Sequence, residues 1–491
     1  AISEDRAFLD AMDRIANWVV HYFNHPESYP VLAQVQPGDV RNRFPADCPE
    51  TGRTFDDLID DFEQKILPGI THWNHPAFFA YFAISGSYPG IIAESLTAAL
   101  NVNGMLWRTS PSLTEIEQLS LQYLRQMLGL PEIPFAMILD TASTSSLLAI
   151  AAAREALAEL QVREKGLAGR HDIPRLVVYC SEEAHSSIEK AAIVLGIGRE
   201  NVCRIKTDSD FRMRADELLH RIEHDLACGS KPLCVVATVG TTSTTSVDPV
   251  GAIAEICRMH GIWLHVDAAY AGIAAILPEK RNTLAGCDAA DSLVVNPHKW
   301  LFTPIDLSAF YCRRPSVLKD ALSLVPEYLR VSDACEVTNL MDYGFQLGRR
   351  FRGLKLWMVI NYYGSSGLRN LIRGHLDLAN QFAKWVQDSD SFELMAPVPF
   401  STVCFRFHPK IELPSAAAGS FESLAAYLDD VNERLMNAVN ATGETYLSHT
   451  KIHNKYALRC AIGNIRTQSS HIANLCRILE ECSHTLMSSP L

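Results

Sequence analysis

The fold is decided by the stretch Ser292-Leu293-Val294-Val295-Asn296-Pro297-His298-Lys299-Trp300, in which a lysine closely follows a short apolar run. Such a run is typical of a buried strand, so we expect Lys299 just beyond the end of that strand. Upstream, a second strand ending at Asp267 is predicted by Gly261-Ile262-Trp263-Leu264-His265-Val266-Asp267-Ala268-Ala269-Tyr270. Parallel strands of an α/β sheet end at one edge, where such sheets bind their ligands. The sequence therefore predicts that Lys299 and Asp267 share a site.

A strand-end lysine together with a strand-end aspartate suggests pyridoxal 5'-phosphate (PLP) as cofactor. PLP chemistry needs a lysine amine to bind the cofactor aldehyde and a carboxylate to keep the pyridine nitrogen protonated. Taken alone, a lysine at a strand end is more often solvated, and an aspartate there is more often a helix N-cap. The segment around Lys299 is apolar, and buried charges are rare unless they are paired or functional. A functional role for Lys299 is therefore favoured.

Two motifs resemble the signatures of the group II PLP-dependent decarboxylases: Asn-Pro-His-Lys-Trp at 296–300 and His-Val-Asp-Ala-Ala-Tyr-Ala-Gly at 265–272. Within that family the chain is similar to the aromatic-L-amino-acid decarboxylases, and its Asp140-Thr141 pair resembles bacterial members. The resemblance extends over nearly the whole chain and is strongest between residues 69 and 357. It implies PLP as cofactor and the fold-type I architecture of PLP-dependent transferases, which is like that of aspartate aminotransferase.

Three parts are predicted along the chain. Residues 1–87 look like an N-terminal helical arm, because apolar residues recur every three or four positions between 4 and 23 and again between 55 and 66. Residues 88–363 are predicted as the large PLP-binding α/β domain and residues 364–491 as a small C-terminal α/β domain. In the resembling family the arm clasps the neighbouring subunit, which implies a homodimer with shared active sites.

Short apolar runs alternate with helical stretches in the large domain. The apolar runs are 176–180, 233–239, the run ending at 267 and the run ending at 295, and the helical stretches include 186–196, 216–227 and 249–260. Near-continuous apolar strands separated by helices predict a mostly parallel central sheet that is covered on both faces. The predicted fold class is therefore α/β.

Composition excludes several classes of function. The 491 residues carry a net charge of −12, which opposes binding to nucleic acid or anionic lipid. No apolar run reaches the roughly 20 residues that a membrane-spanning helix needs. The 13 cysteines are scattered without a Cys-x-x-Cys pair, so we expect neither a disulfide framework nor a metal site. The first residues do not show the basic segment followed by an apolar segment that is typical of a secretory signal. A cytoplasmic location is therefore expected.

A phosphate site is predicted at Asp140-Thr141-Ala142-Ser143-Thr144-Ser145-Ser146, which precedes a strongly helical run. Small residues, hydroxyls and free backbone N–H groups at a helix N-terminus can bind an anion. The pattern alone fits an ordinary serine-rich cap equally well. In the resembling family the matching turn holds the cofactor phosphate, which implies that Ala142 and Ser143 contact the phosphate, with Thr141 beside them.

Two further polar residues follow predicted strands. His185 comes after the run 176–180, and Thr242 comes after the run 233–239. A lone histidine is usually structural, and from the sequence alone Thr242 is only part of a polar turn. The resemblance implies that His185 lies flat against the pyridine ring and can help to move protons, and that Thr242 lies near the 3' oxygen of the cofactor. It also implies that the cofactor is bound by Ala269, Asn296 and His298.

Tyr328 lies in Pro326-Glu327-Tyr328-Leu329-Arg330, within a polar segment that has neither strand nor helix periodicity. A long irregular stretch inside a compact enzyme is often a lid, although a tyrosine there can simply face solvent. The resembling family carries a tyrosine at this position that protonates the substrate carbon after carbon dioxide leaves. The resemblance therefore implies four catalytic residues: Lys299, Asp267, His185 and Tyr328.

An aromatic cluster follows the second helix of the arm, and most of its members are expected in the core. The resemblance implies a substrate side-chain pocket formed by Trp73, Tyr81, Phe82, Ile84, Asn103, Met105 and Gly348. In animal enzymes that handle catechols, a Pro-Thr pair stands in place of Ala83-Ile84. An isoleucine and a phenylalanine stand there in place of Asn103 and Met105, so a catechol preference is not implied.

The predicted reaction is decarboxylation of an L-amino acid, expected to be aromatic (of the Phe, Tyr, Trp or DOPA kind), to the amine and carbon dioxide. One alternative is an aldehyde synthase, in which the substrate carbon meets oxygen instead of a proton; Tyr328 argues against it. Another is decarboxylation of a non-aromatic apolar amino acid. A transaminase or β-lyase should lack the Asn-Pro-His-Lys-Trp motif, and an inactive binding scaffold should not keep all four catalytic residues.

Overall fold

The computed structural model describes residues 4–324, 337–409 and 423–488. The chain forms two compact units. The sheet unit comprises Ile84–Asn380 and Ala396–Val403, and the terminal unit comprises Ala1–Ala83, Gln381–Met395 and Cys404–Leu491. The division into 1–87, 88–363 and 364–491 stays a prediction; the boundary after 363 coincides with a kink in a long helix, where Gly364 has φ 64°.

Helices alternate with strands along most of the described residues. The helices are α1 (Glu4–Asn24), α2 (Phe55–Asp61), α3 (Tyr88–Leu100), α4 (Pro111–Leu128), α5 (Ala142–Glu155), α6 (Val162–Lys165), α7 (Ser187–Val194), α8 (Ala215–Ala227), α9 (Val250–His260), α10 (Pro297–Trp300), α11 (Pro315–Leu322), α12 (Gly353–Asp388), α13 (Leu424–Ala441) and α14 (Ser469–Ser488). None of these helices is long and apolar enough to cross a bilayer.

A seven-stranded sheet forms the centre of the sheet unit. Its strands are β1 (Phe135–Leu139), β2 (Leu176–Ser181), β3 (Val202–Ile205), β4 (Lys231–Thr238), β5 (Trp263–Asp267), β6 (Ser292–Val295) and β7 (Ser308–Cys312), in the order β1-β7-β6-β5-β4-β2-β3. The neighbours from β3 to β6 are parallel. Strand β7 is antiparallel to both β6 and β1, so β1 runs in the same direction as the parallel strands. The prediction of a mostly parallel α/β sheet is confirmed.

Burial explains why these segments form central strands. Every residue of β2, β5 and β6 is buried, and in β4 only Lys231 is partly exposed. Apolar runs of this kind gain stability only when both faces of the sheet are covered, which favours a parallel sheet between helices. Gly261 ends α9 with φ 62°, a left-handed conformation that glycine adopts readily, and the chain then enters β5.

The terminal unit contains a four-stranded sheet of order β10-β11-β9-β8. Its strands are β8 (Phe392–Leu394), β9 (Thr402–Phe407), β10 (Ser448–Ile452) and β11 (Lys455–Ala461). The segment 77–82 runs beside this sheet: the Phe79 N–H donates to the Tyr446 carbonyl at 2.9 Å, and the Ala461 N–H donates to the Phe79 carbonyl at 2.8 Å. The predicted second helix of the arm, 55–66, consists of α2 followed by a π-helical turn, Phe62–Ile66.

Candidate active site

The strand directions bring five predicted site elements to one edge of the central sheet. Strands β1, β2, β4, β5 and β6 run the same way, so their carboxyl ends meet at that edge. The elements that follow these ends are the turn at 140–143, His185, Thr242, Asp267 and Lys299. Ligands of open α/β sheets bind in the crevice outside this edge. The topology therefore assembles the predicted cofactor residues of the sheet unit.

Backbone hydrogen bonds tie the segments that carry Asp267 and Lys299. Asp267 is aligned with Val294 of β6. The Asn296 N–H donates to the Ala269 carbonyl at 3.1 Å, and the Lys299 N–H donates to the Asn296 carbonyl at 3.0 Å. Lys299 is partly buried on the single turn of α10. The lysine is thus placed by a short turn that is linked to the segment directly after the aspartate.

Asp267 is held as an oriented carboxylate. The residue is only 6% exposed, and its Oδ1 accepts a hydrogen bond from the Ala269 N–H at 3.1 Å. A buried carboxylate is costly unless it has polar partners, so its position at a ligand-binding edge favours a functional role. Ala269, predicted as a cofactor residue, contributes to the site at least through this backbone contact.

His185 is within electrostatic reach of both Asp267 and Lys299. Its pKa lies below the usual value, mainly because the surrounding protein removes water from the ring; Asp267 opposes this shift and Lys299 adds to it. The residue still retains accessible surface. Because the Ser187 N–H donates to His185 Nδ1 at 3.2 Å, the neutral ring carries its proton on Nε2. Desolvation therefore favours the neutral ring, whose Nε2–H is available to donate.

The turn after β1 presents the start of α5. Thr141 occupies the N-cap and makes no capping hydrogen bond through its side chain in the described structure. The Ser145 Oγ lies 3.0 Å from the Ser308 Oγ, which links the first turn of α5 to β7. The first backbone N–H groups of a helix have no partner within the helix, so this turn can accept an anion. Ser143 is exposed there, while Ala142 is partly buried.

His298 and Asn296 form a buried polar pair beside Lys299. His298 is 4% exposed, and its Nδ1 accepts the Leu307 N–H at 2.9 Å. Burial lowers the pKa of His298 to about 3, and the nearby charge of Lys299 acts in the same direction. The Asn296 Oδ1 is buried without a hydrogen-bond partner among the described residues. A polar group of a bound cofactor would satisfy such an atom.

The turn after β4 exposes Thr242. Gly240 has φ 89°, and a Cβ at this position would lie 2.4 Å from the Ala271 Cβ, so the close approach requires glycine. Thr241 is buried, and its Oγ accepts the Ser246 N–H at 3.0 Å. Thr242 is exposed at the same turn. The buried threonine shapes the turn, and its neighbour remains accessible at the edge of the sheet.

The predicted substrate residues are divided between the two units. Ile84, Asn103, Met105 and Gly348 belong to the sheet unit, whereas Trp73, Tyr81 and Phe82 belong to the terminal unit. Asn103 lies beside the chain at Gly348, because its Oδ1 accepts the Arg349 N–H at 2.9 Å. A Cβ at Gly348 would meet no atom within 4 Å, so glycine leaves open space there. Tyr328 lies outside the described residues.

A buried ion pair that the sequence did not predict supports this segment. Arg349 Nη2 lies 2.7 Å from Glu117 Oε1, and the two side chains are 5% and 0% exposed. Glu117 Oε1 also accepts the Ile138 N–H at 2.7 Å, which connects the pair to β1. In the sequence, Glu117 is one more polar residue of a helix and Arg349 one of a basic cluster. The two residues are 232 positions apart in the sequence, so only the folded structure shows that they form a pair.

A second unpredicted contact stacks one aromatic residue of each motif on the other. The rings of Tyr270 and Trp300 are 4.8 Å apart and nearly parallel, at 10°. Tyr270 OH lies 2.6 Å from the Ser401 Oγ, and Trp300 Nε1–H donates to His375 Nδ1 at 3.0 Å. Both residues belong to the two motifs, so their aromatic character was the available signal. The stack strengthens the link between the Asp267 and Lys299 segments.

The groups at this edge match the chemical groups of PLP. A lysine, a buried carboxylate, a histidine and a helix start that can accept an anion are the groups with which a PLP-dependent enzyme binds its cofactor. The unpartnered Asn296 Oδ1 offers a further polar contact. In the described part of the chain, no group of three or more His, Cys, Asp or Glu side chains is arranged to hold a metal ion.

Comparison with known proteins identifies the family. The pyridoxal-dependent decarboxylase conserved domain matches residues 37–408. The chain is 40% identical to tyrosine decarboxylase 2 of Arabidopsis thaliana over 480 residues, covering 96% of this chain and 85% of that protein. It is 38% identical to phenylacetaldehyde synthase of the same plant over 477 residues, covering 95% and 94%. The solved structure of Oryza sativa TDC with PLP and tryptamine superposes with a TM-score of 0.92 at 35% identity, covering 99% of both chains.

The chain belongs to the pyridoxal-dependent decarboxylase family, as the two motifs predicted. Its fold is the fold-type I α/β architecture and its cofactor is PLP, so both of these predictions are confirmed. The prediction of a bacterial affinity from Asp140-Thr141 is not supported, because the two Arabidopsis relatives are plant proteins.

Proposed function

We propose that this protein decarboxylates an aromatic L-amino acid to the corresponding amine and carbon dioxide. The observation that carries the proposal is the meeting of Lys299, Asp267 and His185 at one sheet edge with the helix start at Ala142. The aromatic substrate is supported by the similarity to a tyrosine decarboxylase and to a structure solved with tryptamine. The resemblance also implies that Trp73 and Tyr81, whose rings stack 5.6 Å apart, belong to the substrate side-chain pocket.

The residues of the chain have separate roles in this reaction. PLP, when bound, supplies an electron-withdrawing ring that accepts the electron pair released as carbon dioxide leaves. Asp267 holds a proton at the ring nitrogen, and Lys299 Nζ holds the cofactor aldehyde in the resting enzyme. The N–H groups at Ala142 and Ser143 hold the phosphate, because the start of a helix favours negative charge. Neutral His185, with its proton on Nε2, covers the ring and can donate a hydrogen bond.

An aldehyde synthase is the second candidate function. It is favoured by the 38% identity to phenylacetaldehyde synthase. The holoenzyme should be incubated with phenylalanine, tyrosine, tryptophan, DOPA and leucine, with products identified by mass and oxygen recorded. Amine from an aromatic substrate without oxygen uptake supports the proposal. Aldehyde and peroxide with oxygen uptake would establish the synthase instead, and turnover of leucine alone would show that the pocket prefers non-aromatic side chains.

The fate of the substrate carbon is expected to depend on Tyr328. Tyr328→Phe keeps the ring and removes only the hydroxyl, so a proton donor is lost without a large change in volume. Proton transfer by a positioned acid is typically worth about 10²–10⁴-fold in rate, and its loss should favour reaction with oxygen. We expect less amine, with aldehyde, ammonia and peroxide in its place. Oxygen uptake and product masses provide the measurement.

A matched control for Tyr328 is Tyr362→Phe, because Tyr362 is 68% exposed on α12. This control should make amine at the parent rate without using oxygen. If Tyr328→Phe behaves like the control, Tyr328 is not the proton donor and His185 becomes the candidate.

We also propose that the enzyme is a homodimer with shared active sites and that it acts in the cytoplasm. Helix α3 supports the dimer, because its apolar side chains recur every four residues and are exposed: Tyr88 36%, Ile92 56%, Leu96 44% and Leu100 58%. Residues at this spacing lie on one face of a helix, and an exposed apolar face favours association.

Leu96→Asp is expected to dissociate the dimer and to abolish most activity, because the substitution places a charge in the proposed interface. Sedimentation velocity and turnover at the same protein concentration provide the measurement. Leu226→Asp on α8, where the leucine is 40% exposed, is the control and should leave both unchanged. A fully active monomer would contradict shared active sites.

A further inference from the structure

Tyr81 has an unusual backbone conformation for an aromatic residue. Its φ is 54°, in the left-handed region, and it is 51% exposed in the chain. A side chain with a Cβ disfavours this conformation, which persists only when the surroundings hold it. Because about half of the residue stays exposed, burial of the ring alone does not explain why the conformation is kept.

One pair of facing residues holds both sides of Tyr81. The Tyr81 N–H donates to the Ser448 Oγ at 3.1 Å, and the Tyr81 carbonyl accepts a hydrogen bond from the Arg459 guanidinium. Ser448 of β10 and Arg459 of β11 are directly opposite each other in the antiparallel ladder. Side chains of an opposite pair lie on the same face of a sheet. The sheet of the terminal unit therefore presents a two-residue clamp to the backbone of Tyr81.

Arg459 also contacts the next aromatic residue. Its guanidinium carbon lies 4.4 Å from the centroid of the Phe82 ring, which is the geometry of a cation–π contact. Arg459 itself is only 4% exposed. A planar guanidinium can stack on a ring and donate from its edge at the same time, and the ammonium group of lysine cannot. One buried side chain thus sets the positions of residues 81 and 82.

The clamp determines where an aromatic surface is presented. Trp73 stacks on Tyr81 with ring centroids 5.6 Å apart and planes at 18°, and the Tyr446 OH lies 3.5 Å from the Tyr81 OH. Tyr446 joins the same segment through its backbone, because its N–H donates to the Ala77 carbonyl at 3.2 Å. If Tyr81 relaxed to an ordinary conformation, its ring would leave this stack.

We propose that Arg459 is a positioning residue for recognition of the substrate side chain, acting through Tyr81 and Phe82 with Ser448 as its partner. The proposal rests on the proposed function, since it assumes that these two rings contact an aromatic substrate. Strained residues that the surrounding structure holds in place are concentrated at binding sites, and Tyr81 is both strained and exposed. The clamp keeps the rings in the binding arrangement before substrate arrives, which reduces the ordering that binding must impose.

Arg459→Lys is the direct test, because it keeps the positive charge and removes the planar guanidinium group. In the holoenzyme we expect KM for the preferred aromatic substrate to rise about tenfold with kcat nearly unchanged, the pattern for lost uniform binding. Amide hydrogen exchange in residues 79–84 should accelerate by a similar factor, since local opening becomes easier. Ser448→Ala should change both quantities in the same direction and by less.

Arg406→Lys is the matched control. Arg406 lies on the neighbouring strand β9, is 2% exposed and pairs with Asp429 at 3.0 Å. This substitution also removes a buried guanidinium, so it should lower the thermal midpoint while KM and exchange in residues 79–84 stay at the parent values. If it changes them as strongly as Arg459→Lys does, the effect is general destabilisation and the proposal is overturned.

A double-mutant comparison shows whether Arg459 acts through the two rings. In a Tyr81→Ala, Phe82→Ala background, Arg459→Lys should cause no further rise in KM, because the groups it positions are gone. A further tenfold rise would overturn the proposal. Exchange in residues 79–84 that is unaffected by Arg459→Lys would overturn it as well.

The two hypotheses fail in different ways. A parent enzyme that converts none of the aromatic amino acids refutes the proposed function, and the exchange measurement still reports whether Arg459 holds residues 79–84. Faster exchange with an unchanged KM for an active parent would refute recognition by the clamped rings.

Discussion

Lys299→Ala is expected to reduce turnover by about 10³-fold or more. Acid–base roles alone are typically worth about 10²–10⁴-fold, and this lysine is also proposed as the covalent anchor of the cofactor. Its place on α10, tied to Asp267 through Asn296 and Ala269, leaves little freedom for another lysine to substitute. In the parent enzyme, borohydride should fix the cofactor on Lys299, as peptide mass mapping would show. In the variant, added small primary amines should restore part of the activity.

The control for Lys299 is Lys190→Ala. Lys190 is exposed, and its charge also acts on His185. Lys190→Ala removes a nearby positive charge but keeps Lys299, the proposed attachment point of the cofactor. Activity should therefore remain close to that of the parent. Borohydride labelling of a different lysine in the parent enzyme would show that Lys299 does not carry the cofactor.

Asp267→Asn is expected to leave a bound cofactor and to lower kcat by about 10²–10³-fold, the size typical of removing one preorganised electrostatic group. The amide can still accept the Ala269 N–H, so the loss should come from the missing charge at the ring nitrogen rather than from misfolding. Asp267 raises the pKa of His185, so the variant should also show a lower His185 pKa. Steady-state kinetics and imidazole NMR titration provide the two measurements.

Asp291→Asn is the matched control for Asp267. Asp291 lies just before the opposite, amino end of β6, and its Oδ2 accepts the Leu264 N–H at 2.8 Å. Its pKa is raised, chiefly by burial, so it is a comparable aspartate distant from the ligand-binding edge. We expect parent-level kcat from this control. Equal kcat values for Asp267→Asn and the parent would rule out a role for Asp267 at the ring nitrogen.

Much of the sheet unit could be predicted from local patterns. Near-continuous apolar runs identified β2, β4, β5 and β6, because strands buried on both faces are mostly apolar. The positions of Asp267 and Lys299 at or just after strands followed from the same runs. The antiparallel β7 between β6 and β1 was not predicted, since its apolar run reads like that of a parallel strand. The roles of the individual site residues stay predictions.

Other features depend on residues far apart in the sequence. Glu117 and Arg349 form a buried pair across 232 positions, and Arg459 reaches the Tyr81 carbonyl across 378. Neither contact leaves a periodic signal, because periodicity reports only which face of one element is buried. The left-handed backbone at Tyr81 could not be predicted either, since an aromatic residue does not favour it.

The sequence by itself determined the α/β class, the strand-end lysine and aspartate, and the family, because these depend on contiguous apolar runs and short motifs. Only the tertiary structure decided that the five strand ends share one edge, that His185 lies within electrostatic reach of two opposite charges, and that Ser448 and Arg459 clamp Tyr81. The physical reason is that hydration and hydrogen bonding at a site are set by neighbours in space. Folding brings these neighbours together. Folding is driven by burial of the whole core rather than by any local pattern.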